Sequence, residues 1–240
     1  MKKTIYLMFI LLILIAGCSK NKVQLTTDQK LQKADELFSA KKYARAAQLY
    51  EEISFERKSA ATARALMRQG DSYFNINKFV DARLRYSQFT QMFPDHPEVS
   101  NAFFRIAVCF FEESLPPQYD QFETKQSIDA FKVFVDKFPA DSRFNDALEY
   151  IRKAQYKLLE KKFHNGYIHY MMKDYSGALM YFTEITELGN RDQLDKMSLY
   201  YSVIIHHKQG ADNDAKEFYE RIKLKYPGSK ETRKLARRIR

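Results

Sequence analysis

One spacing of small and large residues constrains the fold of this chain more than any other feature. Gly70 is followed 12, 16 and 19 positions later by Ala82, Tyr86 and Phe89. Apolar residues three and four positions apart share one face of an α-helix. The spacing therefore predicts two antiparallel amphipathic helices, in which a small residue on the first faces an aromatic ring on the second.

The same spacing recurs along the chain. Counterparts of Gly70 stand at Ala34, Ala107, Gly166 and Val203. A period of about 34 to 37 residues is similar to that of the tetratricopeptide repeat (TPR). That resemblance implies an all-α fold, a right-handed TPR solenoid of five helix-hairpin repeats with a C-terminal capping helix. The predicted organisation is a TPR array at 28–227, with repeats at about 28–58, 63–94, 100–139, 142–190 and 192–227, followed by a basic C-terminal helix at 228–240.

Composition agrees with helices. The 240 residues include only 7 Gly and 6 Pro but 19 Phe and 16 Tyr. A β-sandwich needs turn signals roughly every 8–12 residues, which so few Gly and Pro do not supply. The formal net charge of +10 favours anionic partners.

Two places depart from the regular spacing. The third repeat holds eight additional residues at 114–121, where Pro116 and Pro117 prevent helix continuation. The fourth repeat has about four extra helical turns before Gly166. We predict one long helix from Ser142 to Met172, with Asp141 or Ser142 as its N-cap.

The N-terminus has the layout of a secretory signal peptide at residues 1–17. An apolar run, Ile5 to Ile15, follows two lysines and is too short to span a bilayer comfortably. The next residues, ending at Cys18, resemble a bacterial lipobox, which implies a lipidated Cys18, a tether at 18–27 and a membrane anchor. Ser19, in place of Asp, resembles a signal for outer-membrane export. The alternative is an ordinary signal peptide or anchor helix with an incidental cysteine.

Residues for catalysis are not arranged in any recognisable pattern. His164 and His169 are five positions apart, which does not match a helical zinc site, and no HExxH, GxSxG or phosphate-binding glycine loop occurs. Cys109 lies in an apolar run and is predicted to be a buried small hydrophobe. We therefore expect no enzyme activity, no cofactor and no metal.

A binding role is the remaining expectation. First helices of a TPR array line a concave surface. In repeats one to three, the residues predicted to face this groove are Asp35, Phe38, Arg64, Met67, Asp71, Phe74, Asn101, Arg105 and Phe111. Such a mixed surface suits an extended or hairpin peptide. The alternative for Phe38, Phe74 and Phe111 is packing against a neighbouring helix. The insertion residues Pro116, Pro117, Tyr119 and Asp120 are expected to face a partner.

The lipobox, the five repeats and the insertion together resemble the BamD family of outer-membrane assembly lipoproteins. The most similar segment runs from Leu115 to Pro139, with Asp120-Gln121 and Thr124 before an apolar helix. Asn190, where a terminal proline is expected, and the basic C-terminal helix depart from the pattern.

The resemblance implies a non-catalytic component of the β-barrel assembly (BAM) complex, anchored to the periplasmic face of the outer membrane of a Gram-negative bacterium. The implied partners are a BamA-like barrel insertase and unfolded outer-membrane proteins, with no nucleic acid and no small-molecule substrate. The alternative is a periplasmic TPR lipoprotein adaptor that coordinates a cell-wall synthase or hydrolase. The basic C-terminal helix is expected to touch lipid phosphates or an acidic partner face, or else to be a solvated cap.

Overall fold

A computed structural model describes residues 25–238 of the chain. Within that range the secondary structure is entirely helical, which confirms the predicted all-α class. The eleven described helices are α1 (Thr27–Ser39), α2 (Tyr43–Ser54), α3 (Ala60–Asn75), α4 (Phe79–Met92), α5 (Val99–Glu113), α6 (Phe122–Lys137), α7 (Phe144–Met171), α8 (Tyr175–Glu187), α9 (Gln193–Lys208), α10 (Asp212–Lys225) and α11 (Lys230–Ala236).

The helices form an array of hairpins. From α1 to α11 each helix packs against the next one along the chain. Some first helices of adjacent hairpins also touch: α1 contacts α3, and α7 contacts α9. Adjacent hairpins are stacked mainly through the second helix of one and the first helix of the next. This is the architecture of a helical solenoid.

The small-into-large contact predicted from sequence is present in the hairpins. A Cβ atom added to Gly70 would lie 2.5 Å from Cε1 of Tyr86, so the ring leaves no room for a side chain there. At Gly166 an added Cβ would lie 3.0 Å from Cε1 of Phe182. Tyr86 and Phe182 are both fully buried. These contacts bring the two helices of a hairpin close together along the core.

Three second helices end in the same way, at an aromatic residue followed by proline. Phe93, Phe138 and Tyr226 have φ angles of −132°, −130° and −130° and ψ angles of 58°, 57° and 60°. Each donates its backbone N–H to the carbonyl four residues earlier. Because the following proline has no N–H to continue the ladder, the chain turns at the same backbone geometry each time.

The two irregular regions are an eight-residue connection and a long helix. α5 ends at Glu113 and α6 begins at Phe122, so residues 114–121 connect them, in the segment where the sequence places its insertion. α7 is one helix of 28 residues. The predicted N-cap was wrong, because Arg143 occupies that position and Asp141 accepts a hydrogen bond from its N–H at 2.9 Å.

At the N-terminal end of the described residues, α1 begins earlier than the predicted tether allows. Thr26 and Gln29 form a capping box, so the tether cannot extend to residue 27. The predicted signal peptide and Cys18 lie outside the described residues. Among the helices that the structure describes, none combines the length and the apolar character needed for a membrane crossing.

At the other end, α11 is short and docks on the last repeat. Ser229 caps it by accepting the Thr232 N–H at 3.1 Å, and Leu235 is fully buried beside α9 and α10. Arg233, Lys234, Arg237 and Arg238 are exposed.

Candidate functional site

The first helices of repeats one to three line two neighbouring clefts on one side of the array. A cleft of about 690 Å³ lies between α1 and α3 and includes Asp35 and Arg64. A second, of about 610 Å³, lies between α3 and α5. Five of the predicted groove residues line the second cleft, namely Arg64, Met67, Asp71, Asn101 and Arg105. Arg68, His96 and Glu98 also line it and were not in the predicted set.

Two carboxylates in this groove are held by tyrosines from the second helices. Tyr50 donates its hydroxyl to Asp35 at 2.6 Å, and Tyr86 donates to Asp71 at 2.8 Å. Burial, followed by the adjacent carboxylate, raises the pKa of both tyrosines well above its usual value. The hydroxyls therefore stay protonated and act as donors that orient the two aspartates.

This tyrosine–aspartate pair was not predicted, although its signal is present in the sequence. In repeats one and two the residue after the small residue (Ala34 or Gly70) is aspartate, and the aromatic residue sixteen positions after the small residue is tyrosine. The carboxylate and the hydroxyl therefore meet wherever the small-into-large contact forms. In the third repeat the corresponding residues are Val108 and Phe131, which cannot make the hydrogen bond.

Arginines form the other charged component of the groove. Arg64 contacts Asp35 at 2.6 Å, and Arg68 lies 3.5 Å from Asp71. Arg105 places its guanidinium 5.1 Å from the ring centre of Phe74 and, among the described residues, has no carboxylate within 4.0 Å. An arginine of this kind keeps hydrogen-bond donors for a bound carboxylate or backbone carbonyl.

The three predicted groove phenylalanines pack against neighbouring helices and are only half-buried. Phe38 lies edge-on to Tyr43, Phe74 to Phe79, and Phe111 to Tyr150, with ring centres 5.1–5.2 Å apart. Phe38 and Phe74 also support the guanidinium groups of Arg68 and Arg105. The packing of all three phenylalanines agrees with the alternative prediction, contact with a neighbouring helix. In the groove, Asn101 accepts a hydrogen bond from Arg143 at 2.6 Å, so its carbonyl oxygen is already engaged.

The insertion loop, residues 114–121, is tied down from inside and from α7. The buried amide nitrogen of Gln121 lies 2.9–3.3 Å from four carbonyl oxygens of the loop, and its own oxygen accepts the Thr124 hydroxyl at 2.7 Å. Lys157 donates to the Ser114 carbonyl at 2.9 Å and Lys161 to the Gln118 carbonyl at 2.7 Å. These bonds give the loop a defined shape.

The loop presents most of its predicted partner-facing residues to solvent. Tyr119 is 56% exposed, and Pro116 and Asp120 are exposed as well. Pro117 is half-buried. Asp120 accepts the Phe122 N–H at 2.9 Å and so fixes the step into α6.

The remaining candidate groups for chemistry are dispersed. Burial raises the pKa of the Cys109 thiol to about 12, so the thiol is protonated at neutral pH. His169 contacts Asp174 at 2.7 Å, away from His164. Within residues 25–238 no three His, Cys, Asp or Glu side chains are grouped so as to hold a metal ion. The groove and the loop offer surfaces for binding.

Comparisons with known proteins agree with the repeat architecture. A family model described as tetratricopeptide repeat matches residues 64–96 and 197–229, which correspond to repeats two and five. The chain is also similar to the outer membrane protein assembly factor BamD of Caulobacter vibrioides, with 26% identity over 84 residues. That match covers 35% of this chain and only 28% of the relative. Two stretches of the chain thus match the tetratricopeptide repeat, and about a third of the chain is similar in sequence to BamD.

Solved structures with a similar arrangement of helices are more distant. PilF of Pseudomonas aeruginosa is 15% identical, with 89% of this chain and 82% of PilF covered and a TM-score of 0.36. The Rap conjugation gene regulator of plasmid pLS20 is 15% identical, with 92% of this chain and 62% of that chain covered and a TM-score of 0.35.

Proposed function

We propose that this chain is a non-catalytic outer-membrane lipoprotein scaffold of the BAM complex, binding its insertase subunit and unfolded barrel substrates. The observation that carries the proposal is the similarity to BamD, a relative whose name states a role in outer membrane protein assembly. The repeats and the groove supply the surfaces that such a scaffold needs.

The groove between α3 and α5 supports binding of an unfolded barrel segment. Strands of outer-membrane barrels alternate apolar and polar side chains, and before insertion their backbone groups are unpaired. Arg105 offers donors, Asp71 offers an acceptor, and Met67 provides an apolar floor. An extended chain is able to use all three along one cleft.

The insertion loop supports a second contact, with the insertase subunit. Its shape is held by Gln121, Lys157 and Lys161, so Tyr119 is presented without a large cost in loop ordering. A preordered aromatic residue at a surface is typical of an interface anchor.

Lipidation of Cys18 is part of the same proposal and has its own test. Cys18→Ser should move the protein from the membrane to the soluble fraction and abolish incorporation of a labelled palmitate. Persistence of the label in that variant would contradict lipidation at this cysteine.

The exposed Arg233, Lys234, Arg237 and Arg238 are proposed to touch lipid phosphates. Their replacement by Gln should weaken membrane association at low salt, whereas no change would indicate a solvated cap.

Co-purification from intact membranes tests the function directly. After detergent extraction the full chain should bring down a barrel-domain insertase, and its depletion should lower the levels of many outer-membrane barrels. Recovery of peptidoglycan synthases or hydrolases instead would favour the adaptor alternative. Unchanged barrel levels would refute the proposal.

A groove variant separates substrate binding from insertase binding. Arg64→Glu with Arg105→Glu should reduce crosslinking to unfolded barrel proteins while leaving insertase co-purification intact. Arg45→Glu, at an exposed arginine on α2, is the control for a single charge reversal outside the groove. Equal crosslinking by all three proteins would exclude the groove as the substrate site.

A further inference from the structure

α7 is much longer than the helix it packs against. It has 28 residues and α6 has 16, which correspond to about 42 Å and about 24 Å at 1.5 Å per residue. The first part of α7 packs on α6, where the rings of Phe131 and Tyr150 stack at 4.9 Å. The insertion loop then covers Lys157 and Lys161. We call the part of the face from Leu158 to Met172 the overhang.

The overhang continues the same heptad-like stripe that α6 covers earlier in the helix. Positions alternate by four and three along this stripe, which is the spacing of one helix face. Its members are Ala147, Ile151, Ala154, Leu158, Lys161, Asn165, Ile168 and Met172. Ala147 and Ala154 are fully buried, whereas Ile168 is 43% and Met172 is 73% exposed. The stripe is therefore buried in the first part of α7 and exposed towards its C-terminal end.

The repeat pattern shows what usually covers this face. Ile168 stands two positions after Gly166. In α3, α5 and α9 the residues two positions after the equivalent small residues are Ser72, Cys109 and Ile205. All three of these are fully buried. In α3 the face packs against α2, the second helix of the preceding hairpin. In the overhang the corresponding place is not filled by any described helix.

The surroundings of the overhang are basic. A cleft of about 640 Å³ lies between the insertion loop and α7, lined by Lys125, Lys161 and Lys162 together with Leu158 and Tyr181. Lys162 pairs with Glu184, and Asp120 also faces the cleft. Lys125, Lys157 and Lys161 have no carboxylate within 4.0 Å among the described residues. The excess charge is therefore positive.

We propose that the overhang is a docking site for an acidic amphipathic helix of a partner protein, which takes the place that a second helix fills elsewhere in the array. Its apolar ridge packs on Ile168 and Met172, and its acidic side chains face Lys125 and Lys161. The span from Leu158 to Met172 is about 21 Å, so the docked helix has about four turns. The exposed aromatic rings of Tyr119 and Phe122 lie at the α6 end of the site. This goes beyond the proposed function, because it depends on no particular assembly.

A synthetic helix tests the chemistry of the site. The probe is a 16-residue peptide with leucines at i, i+3, i+4 and i+7 and glutamates on both flanks, and its partner probe has lysines in place of the glutamates. Fluorescence anisotropy with the full chain in detergent should show binding of the glutamate peptide and at least tenfold weaker binding of the lysine peptide. Ile168→Asp with Met172→Asp should also weaken binding at least tenfold. Leu84→Asp, at another exposed apolar residue on α4, should leave it unchanged.

Equal binding of the two peptides, or unaltered binding by the double variant, would overturn the proposal. A photocrosslinker at Met172 of the full chain in intact membranes identifies the natural occupant. An adduct that maps to an acidic amphipathic helix of another protein supports the proposal. Adducts to residues 1–24 of the chain itself, to a second copy or to lipid would overturn it. If the adduct is retained while insertase co-purification is lost, that result would count against the proposed function alone.

Discussion

Two helices of the array leave the same face exposed, α1 and the overhang of α7, and they differ in what that face carries. On α1 the face holds Gln29, Lys33 and Glu36, all polar and exposed. On the overhang the corresponding positions hold Lys161, Asn165 and Ile168, and Leu158 and Met172 continue the same stripe. A terminal repeat needs a polar face for solubility. The exposed face of α1 therefore suits water, whereas the exposed face of the overhang, which carries apolar residues as well as Lys161, suits an amphipathic partner.

The largest effect on the free energy of unfolding is expected when aspartate is placed, in separate variants, at a buried and at an exposed position of the same α7 stripe. Ala154→Asp should lower the free energy of unfolding by about 4 kcal/mol, because the carboxylate is buried against α6 without a partner. Ile168→Asp should cost only about 1 kcal/mol, because its side chain is 43% exposed and the new carboxylate stays hydrated. Urea unfolding followed by circular dichroism measures both. An equal loss for Ile168→Asp would show that the overhang is covered within the chain.

The close helix contacts at Gly70 and at Gly166, which lie before and after the insertion loop, provide a second comparison. An added Cβ would lie 2.5 Å from Tyr86 at Gly70 and 2.9 Å from the Tyr181 Cβ at Gly166. Gly70→Ala and Gly166→Ala should each cost about 1–3 kcal/mol from overpacking, reduced by about 1 kcal/mol of helix propensity. Thermal unfolding measures the net change. Adding Tyr86→Leu to Gly70→Ala should recover part of the loss, and no recovery would place the strain elsewhere.

The insertion loop should respond locally. Gln121→Ala removes the amide that contacts four loop carbonyls and leaves the Thr124 hydroxyl without its acceptor, a cost of about 1–3 kcal/mol. Hydrogen exchange should accelerate at residues 114–121, including the Tyr119 N–H, and stay unchanged in α3 and α4. Gln48→Ala, on the exposed side of α2, is the control. Unaltered exchange in the loop would mean that Lys157 and Lys161 suffice to hold it.

The smallest expected effect concerns acid pH at the covered start of α7. The side-chain hydrogen bond from Arg143 holds the pKa of Asp141 well below its usual value. Its contribution to stability is therefore present above the unfolded pKa of about 3.9 and is lost as the pH falls through the lower folded pKa. Stability of the native chain should decline more steeply from pH 5 to 2 than that of Asp141→Asn. Asp146→Asn should follow the native curve, and parallel curves for all three proteins would contradict this role of Asp141.

Periodic features were predictable from sequence and non-periodic ones were not. The spacing from Gly70 to Tyr86 located the hairpins because each contact repeats with the same geometry. The prediction of the α7 N-cap was wrong because Asp141 pairs locally with Arg143, and this contact is not part of the repeating pattern. Five of the predicted groove residues line one cleft, whereas Phe111 packs on Tyr150, which lies in another repeat and becomes a neighbour only after stacking. The excess length before Gly166 was visible in sequence, whereas its open face depends on where α6 starts.

α7 also changes how repeats three and four are mechanically connected. In most of the array, neighbouring hairpins are coupled by side-chain interfaces, which can separate one at a time. Here a single run of main-chain hydrogen bonds over 28 residues belongs to both hairpins. Unfolding of either hairpin therefore disturbs a helix that the other requires. Repeats three and four should lose their structure in one cooperative step, with α7 acting as a rigid strut between the two halves of the chain.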